Sequence, residues 1–265
     1  MMSNKFLRLW ATKNKNDEWW SSFVTAPLAI AANYVVVDFK WLTPNLLTLF
    51  SFMVAIAATA LVVIGGQVEF YMAAALIHVS HILDCMDGQM ARYRGVTSRW
   101  GSFFDKLTDQ VQVILWFGAI GFASYMQTED ILPVFLAFAG VAFYALRGYI
   151  KYVAIYTEMG DDNGYLEKAH REVAKIESKT KDTAGPGHSV VANFRWFAAE
   201  QRKFLSFDEG VFIFMLSAAL ILNALTPMLW VFAASQFLYG LARTLQRGRQ
   251  LHLNQLPQIL TTTEK

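Results

Sequence analysis

Six apolar runs, at residues 46–64, 70–91, 103–126, 131–157, 208–224 and 227–245, constrain this chain more than any other feature in it. Each is close to the 17 to 25 residues that an α-helix needs to cross a bilayer. With 55% hydrophobic and 17% charged residues over 265 positions, the apolar content is too high and too clustered for an ordinary soluble domain. The reading is an all-α integral membrane protein with six transmembrane helices.

The connections between runs are short and carry helix breakers: Gly65-Gly66, the stretch from Gln127 to Pro133, and the stretch from Asn223 to Pro227. Helical hairpins fit this spacing. With residue 1 inside, all 23 Lys and Arg fall on the cytoplasmic side or in its helix ends, whereas the outer turns hold only Glu69, Glu129 and Asp130. The asymmetry predicts that both termini are cytoplasmic. The net charge of +2 is accounted for by topology and by anionic lipid heads, so no nucleic-acid partner is expected.

Five segments follow. Residues 1–43 form a cytoplasmic, interfacial amphipathic segment, because the Trp- and Phe-rich stretch 17–42 is interrupted by Pro27, Asn33, Asp38 and Lys40. A seventh crossing by residues 23–39 is the competing reading. Residues 44–157 carry the first four spans, 158–207 a cytoplasmic insertion, 208–249 the last two spans, and 250–265 a cytoplasmic tail. Within the insertion, Leu166, Ala169, Val173 and Ile176 have helical spacing over a charged stretch from Tyr165 to Lys181, which ends before Gly185-Pro186-Gly187. No cleavable signal peptide is visible, and the lone Cys85 reads as a small apolar filler.

The second run ends as Asp84-Cys85-Met86-Asp87-Gly88-Gln89-Met90-Ala91-Arg92, and the third begins as Gly101-Ser102-Phe103-Phe104-Asp105-Lys106-Leu107-Thr108-Asp109. Residues three or four apart share a helix face, so Asp84 pairs with Asp87 and Asp105 with Asp109. The eight residues between Arg92 and Gly101 bring the pairs together across a hairpin. Four carboxylates converging at membrane depth repel one another unless a cation neutralises them. Oxygen ligands point to a hard divalent ion, Mg2+, Mn2+ or Ca2+, and away from zinc. Gly88 and Ala91 leave room for a ligand near the backbone, and Arg92 suits a phosphate. The bland alternative is a set of helix-end charges paired with Arg92, Arg94, Arg99 and Lys106.

The pattern D-x-x-D-G-x-x-A-R, eight residues, then G-x-x-x-D-x-x-x-D resembles the complete signature of the CDP-alcohol phosphotransferase family, also called the CDP-alcohol phosphatidyltransferase family. The resemblance implies that Asp84, Asp87, Asp105 and Asp109 hold one or two Mg2+ or Mn2+ ions. It implies that Asp109 also takes the proton of the attacking hydroxyl, and that Gly88, Ala91, Arg92 and Ser98 belong to the CDP-donor site. Thr43-Pro44-Asn45-Leu46-Leu47-Thr48 is similar to the family's entry into its first span, which adds Asn45 and Thr48 as donor-site candidates. A six-helix core and a homodimer are further implications of the match.

Other polar residues admit two readings each. Ser98 also suits the N-cap of the third span. His78 and His81 either extend the metal site or satisfy polar positions between helices. Arg147 and Lys151, one turn apart, are candidates for an acceptor pocket or for snorkelling to lipid phosphates.

The expected activity is transfer of a phosphoalcohol group, of phosphatidyl type, from a CDP-alcohol to the hydroxyl of a small polar acceptor such as an amino alcohol, a polyol or a polyol phosphate. CMP is released, in phospholipid biosynthesis. The alternatives are transfer of a small head group to a lipid hydroxyl such as diacylglycerol and, from another class, an ion-coupled transporter. The expected setting is a bacterial or archaeal inner membrane, with membrane lipids around the chain and the site facing the cytoplasm.

Overall fold

The computed structural model describes residues 4–14, 18–161, 164–171 and 189–262, without the side chains of 161, 202, 203 and 254–262. Among them every regular element is helical. In chain order these are α1 (Asn4–Trp10), a π-helical turn (Ser21–Thr25) that runs into α2 (Ala26–Val36), α3 (Pro44–Ile64), α4 (Gln67–Arg94), α5 (Arg99–Thr128) and α6 (Leu132–Asp161). A short helical stretch at 165–171 follows. Then come α7 (Val190–Glu200), a 3-10 turn (Gln201–Ser206), α8 (Glu209–Ile221) and α9 (Leu225–Thr262).

Among the described residues, four stretches are long and apolar enough to cross a membrane: Pro44–Ile64, Gln67–Arg94, Leu132–Gly160 and Leu225–Leu253. The other two expected spans differ from these for physical reasons. Helix α5 is 30 residues long, but Arg99, Asp105, Lys106 and Asp109 occupy its first turns and shorten its apolar part. Helix α8 has 13 residues, and at 1.5 Å per residue it covers only about 20 Å of a hydrocarbon core about 30 Å thick. Ser21–Val36 is likewise a shorter apolar helix.

The breakers act where the sequence puts them. Thr43 caps α3, its side chain accepting from Leu46 N at 3.3 Å, and Pro44 occupies the first turn where its missing N–H costs nothing. Gly65 (φ 78°) and Gly66 (φ 102°) make the turn into α4 in backbone conformations that a side chain would strain. Gly95, at φ 66°, ends α4 with its N–H turned back to the carbonyls of Ala91 and Arg92.

The chain divides into two compact units. The first comprises Met1–Phe138 and Asp182–Phe232. Its centre is the α3–α4 hairpin, where Ala55, Ala58, Ala73 and Ala74 are buried and let the two backbones approach. There Ser51 Oγ donates to Ser80 O and Ser80 Oγ to Ser51 O, both at 2.9 Å. Helix α5 joins through Trp116 Nε1, which donates to Ala55 O at 3.3 Å. Phe117 stacks on Phe232 with centroids 3.6 Å apart.

The N-terminal segment packs onto the C-terminal end of α4. Leu9, Ile30, Val37, Leu42, Leu47, Met86 and Met90 form one buried cluster. Asn33 is fully buried and its amide donates to Met86 O at 2.9 Å, while Gln89 Nε2 donates to Ala26 O at 3.2 Å. Arg94 holds the carbonyls of Val37 and Leu42, each at 2.6 Å, and so fixes the connection that leads into α3.

The second unit comprises Ala139–Lys181 and Ala233–Lys265. In it Arg147 Nη1 donates to Gln236 Oε1 at 2.6 Å, and the guanidinium lies over the rings of Tyr144 and Tyr239. Of the expected insertion, the helix at 165–171 is present. Val173, Ile176 and the Gly185-Pro186-Gly187 break lie outside the described residues.

Candidate active site

The end of α4 and the start of α5 carry the aspartates, and the turn between them is closed by local chemistry. Gly95 ends one helix, and Ser98 starts the next by accepting from Gly101 N at 3.0 Å. The capping role of Ser98 is therefore filled. A Cβ on Gly101 would lie 3.0 Å from Asn45 Oδ1 and 3.1 Å from Ser98 Oγ, so the glycine admits the start of α3 against the start of α5.

Asp84, Asp105 and Asp109 each offer a carboxylate oxygen, and the three oxygens lie within 4.8 Å of one another. Asp87 is buried and is held by Thr48, whose hydroxyl donates to its Oδ2. Asp84 Oδ1 is buried with no hydrogen-bond partner among the described residues. A buried carboxylate oxygen without a donor, beside two further carboxylates, lacks the compensation that burial of charge requires. A divalent cation with oxygen preference supplies it, so the residues present fit the metal that the motif implies.

Two cavities open on this cluster. One, of about 420 Å3, is lined by Asn45, Thr48, Gly88, Ala91, Arg92 and Ser98, together with Asp87 and Asp105. The structure thus brings all six donor-site candidates to one wall-to-wall space. Arg92 is anchored there by Nε, which donates to Thr12 O at 2.8 Å. A Cβ on Gly88 would sit 3.2 Å from Arg92 Nη1, so the glycine leaves the guanidinium its position.

The second cavity, of about 390 Å3, is lined by all four motif aspartates, and by Glu18, Ser21, His81, Cys85 and Glu209. Glu18, Ser21 and Glu209 are the residues that sequence reasoning missed. Glu18 accepts from Ser21 N at 3.0 Å and from the Ser21 hydroxyl. Glu209, the first residue of α8, lies with Oε1 3.4 Å from His81 Nδ1. The two carboxylates carried a weak signal, since Glu18 and Glu209 are acidic residues at the entry to apolar helices, and Ser21 carried none.

The two histidines separate. His78 Nδ1 lies 3.0 Å from Ala74 O and 3.1 Å from Ser217 Oγ, so it satisfies a polar position between α4 and α8. His81 faces the cavity. Arg147 and Lys151 belong to the second unit, where Arg147 has the partners described above and Lys151 is exposed.

The family model described as CDP-alcohol phosphatidyltransferase matches residues 41–173. Among solved structures, the crystal structure of the Mycobacterium tuberculosis phosphatidylinositol phosphate synthase PgsA1 with CDP-DAG bound is similar, at 17% identity and a TM-score of 0.48. The likeness covers 83% of this chain and 91% of that one. No curated protein matches.

Proposed function

The chain belongs to the CDP-alcohol phosphatidyltransferase family, and on that premise we propose that it moves a phosphatidyl-type phosphoalcohol group from a CDP-linked donor to the hydroxyl of a small polar acceptor, releasing CMP. The observation that carries the reading is the aspartate cluster: three carboxylates within 4.8 Å, one of them with a buried oxygen that no donor among the described residues satisfies.

Asp84, Asp87, Asp105 and Asp109 would hold one or two Mg2+ or Mn2+ ions, which when bound draw charge from the donor pyrophosphate and stabilise CMP as it leaves. The chain's own residues supply the rest. Asn45, Thr48, Gly88, Ala91, Arg92 and Ser98 surround the cavity assigned to the donor, and the Arg92 guanidinium on its wall would meet a phosphate oxygen. Asp109 accepts the acceptor's hydroxyl proton as the oxygen attacks phosphorus in line. One oxygen–phosphorus bond forms, the anhydride bond to CMP breaks, and CMP leaves with the electron pair, so no covalent enzyme intermediate is required.

The membrane arrangement belongs to the same proposal: six membrane helices, of which α8 is shorter than the hydrocarbon core, with both termini and the site on the cytoplasmic side, and a homodimer. The concentration of Lys and Arg away from the turns that hold Glu69, Glu129 and Asp130 supports the orientation. The test is CMP release by the purified protein in nanodiscs, from CDP-diacylglycerol and from short CDP-alcohols, across a panel of acceptors, with Mg2+ or Mn2+ against chelator. Metal-dependent CMP release that requires one donor and one small acceptor is the expected result. Release with diacylglycerol alone as acceptor would reverse the assignment of the lipid part, and no release from any pair would sink the reading.

A further inference from the structure

One turn before the motif, His81 of α4 is 4% exposed, and its two ring nitrogens meet different chemistry. Nε2 lies 3.0 Å from Ser21 Oγ. A hydroxyl has one proton, and Ser21 gives its proton to the Glu18 carboxylate, which only accepts. Nε2 therefore carries a hydrogen and donates it to Ser21. The other nitrogen, Nδ1, is buried and has no hydrogen-bond partner among the described residues, and Asp84 Oδ1 is in the same condition. His81, Asp84 and Glu209 each bring one ligand atom, and all three atoms lie within 4.8 Å of one another.

We propose that His81, Asp84 and Glu209 form a second divalent-cation site, which shares Asp84 with the motif cluster and selects an ion that accepts imidazole nitrogen, such as Mn2+ or Zn2+. Three features of the geometry support it. His81 Nδ1 and Glu209 Oε1 stand 3.4 Å apart. That is long for a hydrogen bond but equal to the roughly 3.3 to 3.4 Å edge of a tetrahedron with metal–ligand bonds of about 2.0 to 2.1 Å. The chain from Nε2 through Ser21 to Glu18 is the outer partner that fixes tautomer and ring orientation at ligating histidines. Finally, a Cβ on Gly210 would run into the Glu18 carboxylate and Ser21 Oγ, so a glycine directly after Glu209 lets α8 begin against this relay.

The donor set sets the ion. Two carboxylates and an imidazole suit Mn2+ or Zn2+ better than Mg2+, which prefers oxygen and water. A cation here neutralises Asp84 and Glu209 together, ties the first turn of α8 to α4, and fixes which oxygen Asp84 turns toward the motif cluster.

The proposal rests on Asp84 being a ligand of the motif site, and the test separates the two. The chelator-stripped full chain in detergent is loaded with Mn2+, its bound equivalents are counted, and pulsed EPR reads nitrogen hyperfine coupling. The wild-type spectrum is expected to show directly coordinated imidazole, the His81→Gln protein to lack that signal, and Glu209→Gln to bind about one equivalent fewer. Asp105→Asn is expected to lose Mn2+ from the motif site while keeping the nitrogen signal. A wild-type spectrum with oxygen ligands alone overturns the site, and His81 and Glu209 then form a proton-bridged ion pair. Undiminished Mn2+ binding by Asp105→Asn would defeat the reading of the motif cluster, while a nitrogen signal would still support the His81 site.

Discussion

Replacing Thr48 by valine keeps the shape of the side chain and removes one proton from the site. Thr48 is 4% exposed, and its hydroxyl has Asp87 Oδ2 and, at 3.2 Å, Pro44 O within reach. One proton serves one strong acceptor, and the carboxylate is the stronger. A hydrogen bond to a charged group contributes about 1.5 to 3 kcal/mol, and each 1.36 kcal/mol is a factor of ten. Thr48→Val is therefore expected to weaken cation binding by Asp87 and its neighbours roughly 10- to 100-fold, the range typical when a partner of a ligating side chain is lost. Thr48→Ser should restore most of it. The assay is Mn2+ titration of the detergent-solubilised protein, run beside the metal dependence of CMP release. A valine variant within twofold of wild type in metal affinity refutes the reasoning. If the donor KM rises while metal affinity stays, Thr48 touches the CDP-linked donor directly, and its bond to Asp87 is incidental.

Asp109→Asn should abolish turnover and leave much of the CDP-donor binding, because it removes the proton acceptor and only one of the carboxylates; unchanged CMP release would take Asp109 out of the mechanism. Ser98→Ala removes the cap of α5, a loss of about 1 kcal/mol of stability that a lower unfolding temperature in detergent would register. A raised donor KM at unchanged stability would instead place Ser98 on the donor. Gly101→Val displaces Asn45 Oδ1 and the Ser98 cap, so the donor KM should rise severalfold, and a normal KM would remove Asn45 from the donor site.

The helices were legible because apolar runs of bilayer length and the punctuation of Thr43-Pro44, Gly65-Gly66, Gly95 and Ser98 are local signals, each acting within a few residues. The hairpin of aspartates was legible for the same reason: both pairs and the turn between them lie within 26 residues, 84 to 109. What sequence could not deliver was the far wall of the cavity. Glu18, Ser21 and Glu209 meet His81 only through packing of the N-terminal segment and α8 on α4, and their separation of up to 191 residues, from 18 to 209, leaves no periodicity to read. Helix length was a second limit. The run at 208–224 opens on Asp208-Glu209, and its helix stops at Ile221, because Leu222 to Ala224 turn the chain and Asn223 takes a positive φ of 50°. His78 and His81 looked alike in sequence, and only the partners of each ring, Ser217 for one and Ser21 for the other, told them apart.

The clasp of the N-terminal segment on α4, through Asn33, Gln89 and the cluster around Leu9 and Met90, has a consequence for how such a protein can change. The motif aspartates sit on one hairpin, while much of the facing wall comes from residues near 18–26 and 200–209. The carboxylates and much of the wall that faces them are thus carried on separate stretches of chain. An exchange of the segment that ends in α2 would reshape that wall, and it would have to keep the Thr12 carbonyl that anchors Arg92.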